Sequence, residues 1–211
     1  MRGLGDIVRQ AADGVFPEPD GSVEVVAPYL PGVEAVVSFT AHAVVATALP
    51  LQALLDAGAD GYAGATSAPV MAALAGPYGE VDVLDALLVA RGTGRSTLPE
   101  RPDLEAHPRA GYARGWRADV HVHGDERGLV TVARGLGGLP EVSFEVPPEG
   151  RGRGHGRALL REALGLVPAD DPVLAAVAPG NAASLRAALA AGFVPLGSVQ
   201  LVRPGRPRPR R

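Results

Sequence analysis

Residues Arg151-Gly152-Arg153-Gly154-His155-Gly156 form the stretch whose composition is best suited to chemistry. It follows a strand-like run, Glu141 to Val146, and precedes a helix-like run, Arg157 to Val167. A glycine-rich loop feeding a helix start gathers backbone N–H groups, adds the positive end of the helix dipole, and lets an anion approach closely because side chains are absent. A phosphate-bearing ligand is the natural occupant. All 20 basic residues are Arg, so a Walker A loop, which needs Lys on the phosphates, is excluded. The dinucleotide fingerprint G-x-G-x-x-G fails as well: counted from Gly152 its last position is Arg157, and counted from Gly154 it is Leu159.

The spacing Arg151, Gly154, Gly156 instead reads R-x-x-G-x-G. After the helix comes a buried-strand pattern, Pro172 to Val177. Asn181-Ala-Ala-Ser184 then opens a second helix that stops at Gly192-Phe193. Asn181 suits an N-cap and Gly192 a left-handed C-cap. These two signatures, in this order and each at a strand–helix junction, resemble the GNAT superfamily of acyl-CoA-dependent N-acetyltransferases. The resemblance covers roughly 119–203 and implies an α/β (α+β) fold, a mixed central sheet with flanking helices, in the C-terminal half. The N-terminal half reads as an α/β extension, a substrate-shaping lobe or a degenerate copy of the same fold. Expected boundaries are 1–92 for that lobe, 93–203 for the acetyltransferase-like part, and 204–211 for a disordered Arg/Pro tail.

The resemblance implies acetyl-CoA as cosubstrate and direct transfer of its acetyl group to a primary amine of a small molecule or peptide. Phe144 and Val146 would offer main-chain groups to pantetheine. Arg151, Gly152, Arg153, Gly154, His155, Gly156 and Arg157 would hold the pyrophosphate, with Asn181 beside them. Composition agrees with direct transfer: with no Cys there is no thiol to carry an acyl group, and with no Lys there is no Schiff base. Strand alternation puts Glu141, Ser143 and Glu145 on one face, so Glu145, or else Glu141, is the candidate general base. The family often has a Tyr acid seven residues after the Asn; here that position is Ala188, and Ser184, Tyr112, water or the product ammonium remain as proton sources. His155 reads as a loop residue pointing outward, apart from its place in the anion loop. His121 and His123 share a strand face with no evident third ligand, so no metal is expected. Trp116 and Tyr112 read as packing residues.

A rival reading is a non-catalytic acyl-CoA-binding sensor or interaction module that kept the loop without the acid. Net charge is −3, and five Arg lie in 203–211, which leaves the remainder near −8. An acidic body argues against a nucleic-acid partner and mildly favours cationic amines. No apolar run reaches membrane-span length and the N-terminus lacks a signal-peptide core, so a cytoplasmic protein without membrane partners is expected; a homodimer is left open.

Pattern also sets the elements upstream. A short helix is expected within 1–21 and a strand at Val23 to Val26. A hairpin is expected from Val33 to Phe39 and His42 to Thr47, with Val33, Ala35, Val37 and Phe39 on one face and Val36 and Ser38 on the other. Helices follow at Leu51 to Ala57 and from Thr66 or Ser67 to Ala75, then a strand at Val83 to Ala90 and a helix at Glu105 to Arg114.

Overall fold

The computed structural model describes residues 2–205. The expected tail at 204–211 therefore lies, from residue 206 on, outside the described residues. The elements in chain order are α1 (Leu4–Ala12), β1 (Val23–Val26), β2 (Glu34–Phe39), β3 (His42–Ala46), α2 (Leu51–Asp56), α3 (Ala68–Ala75), β4 (Glu80–Val81) and β5 (Asp85–Arg91). There follow α4 (Pro108–Trp116), β6 (Ala118–Asp125), β7 (Gly128–Arg134), β8 (Pro140–Glu145), α5 (His155–Gly165), β9 (Pro172–Val177), α6 (Ala182–Ala191) and β10 (Val194–Arg203). The fold is mixed α/β, with parallel and antiparallel strand pairs in an open sheet. Among the described residues no helix is long and apolar enough to cross a membrane. By compactness the chain forms two units, Met1–Ala86 with Leu196–Arg211, and Leu87–Pro195.

In the first unit the strand order is β1-β3-β2-β10, with β4 also on β10. β2 and β3 form the expected hairpin, from Ala35↔Ala46 to Phe39↔His42. β1 runs parallel to β3, and β10 returns antiparallel to β2. Val36, Val45 and Val202 join Leu54, Val70 and Leu74 of α2 and α3 in one core cluster. The two faces of β2 do not divide into an inside and an outside. Every residue from Val33 to Phe39 except Ser38 is buried, because the strand is covered on both sides. Even Glu34 is buried, accepting from the Thr47 hydroxyl at 2.7 Å and the Ala48 N–H at 3.2 Å. The strand expected at Val83 to Ala90 is β5, which starts two residues later and ends one residue later, and the short β4 precedes it.

In the second unit the order is β5-β9-β8-β7-β6. β6, β7 and β8 form an antiparallel meander, whereas β9 is parallel to β8, as a helix crossover requires. α4 starts at Pro108, later than the expected Glu105. His107 is its N-cap, with Nδ1 accepting from the Arg109 N–H at 3.1 Å, and Pro108 fills the first position, where an N–H is not needed. α5 starts two residues before the expected Arg157, because Gly154, at φ 83°, takes the left-handed N-cap position itself. α6 has both expected caps: the Asn181 side chain accepts from the Ser184 N–H at 3.1 Å, and Gly192 ends the helix at φ 108°.

Candidate functional site

Strand β8 organises the site. Its alternation sends Phe144 toward α5, where a Cβ on Gly156 would stand 2.7 Å from the phenyl ring; only glycine lets the helix start settle this closely. The opposite face, with Glu141, Ser143 and Glu145, lies beneath α4. Ser143 meets Thr131 of β7 at 2.8 Å, and Arg109 and Arg117, at either end of α4, reach Glu145 and Glu141. The parallel ladder between β8 and β9 is registered at Glu141↔Leu174. Beyond that pair, Phe144, Glu145 and Val146 line a cavity of about 680 Å³ in place of a neighbouring strand.

The same cavity is lined by Arg151, Gly152, Gly154, His155, Gly156 and Arg157 of the glycine loop and α5, and by Asn181 and Ser184 of α6. Gly152 and Gly154 both have positive φ, 75° and 83°. The first intrahelical bond after Gly154 is Ala158 N–H to the Gly154 carbonyl at 3.1 Å, and Gly154 offers no side chain as a cap. The N–H groups of His155, Gly156 and Arg157 therefore precede the helix ladder, as the donors of an anion site do. The contrast with α6 is direct, since Asn181 already satisfies an N–H there.

No family model, curated protein or solved structure matches this chain.

The cavity gathers eleven of the residues singled out in the sequence: Phe144, Glu145, Val146, Arg151, Gly152, Gly154, His155, Gly156, Arg157, Asn181 and Ser184. Arg153 and Glu141 are not among its lining residues. Glu141 is buried in an ion pair with Arg117 and accepts the Leu136 N–H at 3.1 Å, which is a structural role. Val146 arrives with its carbonyl already accepting from Arg151 Nε at 3.3 Å. His155 is not an outward loop residue. It is the first residue of α5, its Nδ1 is buried without a hydrogen-bond partner among the described residues, and a Cβ on Gly150 would come within 2.9 Å of that atom. Near it, the Asp125 carboxyl is held below its ordinary range, chiefly by hydrogen bonds from the Arg127 side chain and only slightly by the imidazole.

Two charged lining residues, Arg109 and Arg186, have no counterpart among the residues the sequence pointed to, nor do the small residues Gly150, Ala183, Ala187 and Ala190. Arg186 was legible: Ala183, Arg186, Ala187 and Ala190 follow helical spacing after the Asn181 cap and so share a face. Arg109 carried no such signal, since α4 is far from the loop in sequence. Arg109 Nε lies 3.4 Å from Glu145 Oε2, with both side chains about a third exposed, at 35% and 39%. Tyr112 is exposed and absent from the lining, and Trp116 is a core residue. His121 Nδ1 faces Glu100 Oε1 at 3.3 Å, and His123 Nδ1 faces the Leu98 carbonyl at 3.3 Å. Among the described residues no group of three or more His, Asp and Glu is placed to hold a metal.

Proposed function

We propose that this chain is an acyl-CoA-dependent N-acyltransferase that transfers an acetyl group to an amine. The observation that carries the reading is the single cavity that joins a glycine-lined helix start to a carboxylate, Glu145, across the open edge of β8. The donor set suits a diphosphate. Uncapped N–H groups of α5 and the guanidinium groups of Arg151, Arg157 and Arg186 supply directed donors and charge, and the glycines leave room for phosphate oxygens. The main chain of Phe144 to Val146 offers polar groups along which an extended pantetheine arm could be held.

Acetyl-CoA would supply the thioester: the amine nitrogen bonds to its carbonyl carbon, the carbon–sulfur bond breaks, and CoA leaves as the thiol after taking a proton. Glu145 would accept a proton from the incoming ammonium, which frees the lone pair. Ser184, at the cavity wall on α6, solvent and the product ammonium are the proton sources left for the departing sulfur. Ala188, where a tyrosine acid would be expected by resemblance, is buried.

That missing acid keeps a second reading alive, an acyl-CoA-binding module without turnover. One pair of measurements separates them. Calorimetric titration with acetyl-CoA should show saturable binding, and an amine panel should release free CoA thiol above the hydrolytic background. Binding without release for any amine would favour the binding module, and no binding would overturn both.

A further inference from the structure

Resting on the transferase reading, we infer that the acceptor carries a carboxylate beside its amine, as an amino acid does, and that Arg109 is the residue that reads it. The cavity reaches both faces of β8. Phe144, the glycine loop and α6 line it on one side, and Glu145 with Arg109 of α4 lines it on the other. Arg151, Arg157 and Arg186 belong to the loop, α5 and α6. Arg109 is thus the lining cation that stands with the candidate base instead of with the anion loop.

The pair Arg109 and Glu145 presents one positive and one negative charge side by side, 3.4 Å apart and accessible from the cavity. A plain cationic amine docking on Glu145 would face the guanidinium, a like-charge contact that costs affinity. A zwitterion removes that conflict, with its ammonium on Glu145 and its carboxylate on Arg109. The geometry leaves room for this. Only Nε of Arg109 is engaged, and the two terminal nitrogens have no hydrogen-bond partner among the described residues. Those nitrogens form the planar fork that binds a carboxylate through two parallel hydrogen bonds. The transfer step is the one given above, with the proton passing from the ammonium to Glu145; Arg109 takes no part in bond making and acts on orientation and specificity.

The test follows CoA thiol release from acetyl-CoA with matched acceptors: the common α-amino acids, their α-amides, and the corresponding decarboxylated amines. The free acid of the preferred side chain should exceed its amide and its decarboxylated amine by about tenfold or more in kcat/KM, the scale of one charged hydrogen-bonded contact. Arg109→Gln should collapse that ratio toward one, mainly through acceptor KM, while acetyl-CoA affinity measured by calorimetry stays within about twofold. Arg109→Lys, which keeps the charge but not the fork, should restore part of the ratio. Amides or decarboxylated amines that serve as well as the acids would overturn the inference and leave the transferase reading standing. So would an Arg109→Gln protein that keeps the preference, or a chain that binds acetyl-CoA and turns over no carboxylated amine. A chain that does not bind acetyl-CoA overturns both.

Discussion

Glu141 and Glu145 stand four residues apart on one face of β8, and their surroundings could hardly differ more. At Glu141 the neighbouring strand is still in register with β8, and the carboxylate is sealed under α4 against Arg117 and the Leu136 N–H. At Glu145 the cavity has replaced the neighbouring strand, and the carboxylate meets Arg109, about a third exposed, at 3.4 Å. Glu34 in the other unit resembles Glu141, buried and satisfied by Thr47 and Ala48. The same residue type is therefore structural where the sheet is closed and accessible where it opens. For the proposed transferase, chemistry would depend on the gap more than on the carboxylate.

The largest effect is expected at the closed end of β8. Glu141→Ala leaves Arg117 buried without its carboxylate partner and should cost on the order of 3 kcal/mol of stability, read as a lower midpoint in urea denaturation. A loss below about 1 kcal/mol would mean that the pair is not a structural one. At the open end the expectation reverses. Glu145→Gln should lower turnover roughly a hundredfold, the usual scale for removing a general base. Its denaturation midpoint should barely move, because both partners are solvated. Unchanged turnover would shift the proton transfer to solvent and void the functional half of the contrast.

Gly154→Asp probes the helix start that faces the same cavity. It adds a Cβ where φ is 83° and a negative charge where phosphate is proposed to sit, so acetyl-CoA affinity should fall about tenfold. Calorimetry on the folded variant checks it, and equal affinity would remove the phosphate assignment. The smallest effect is a carboxylate control outside the site. Asp20 accepts from the Ser22 hydroxyl and N–H, and from His42 Nδ1 at 3.0 Å, which lowers its pKa from 3.8 to about 2. A lowered folded-state pKa gives stability that is complete above the unfolded value and is lost as pH falls toward about 2. Thermal unfolding between about pH 4 and about pH 2 should therefore slope less in Asp20→Asn than in the wild-type protein; parallel slopes would remove Asp20 from the acid response.

Much of the fold near the site was legible because it is local. Asn181 and Gly192 bracket α6 as capping chemistry requires, and the glycine loop lies between strand and helix where its composition puts it. Apolar alternation located β2 and β3, and their burial lay outside what it could set. Burial on both faces is decided by what packs above and below, and nothing within the hairpin records that. The start of α4 was misplaced for a related reason: His107 acts as an N-cap through Nδ1, an uncommon use of a residue whose type does not announce it.

The sequence alone determined what the backbone settles within a few residues: the face shared by Glu141, Ser143 and Glu145, the positive-φ glycines of the loop, and the cap of α6. These follow from steric limits and short periodicities, which need no distant partner. Tertiary structure alone decided which end of β8 loses its neighbour, that α4 brings Arg109 to Glu145 across 36 residues of chain, and that the last strand pairs with β2 in the first unit. Such contacts arise because separate elements bury their faces against one another, and no local pattern encodes which distant side chain arrives at a given place.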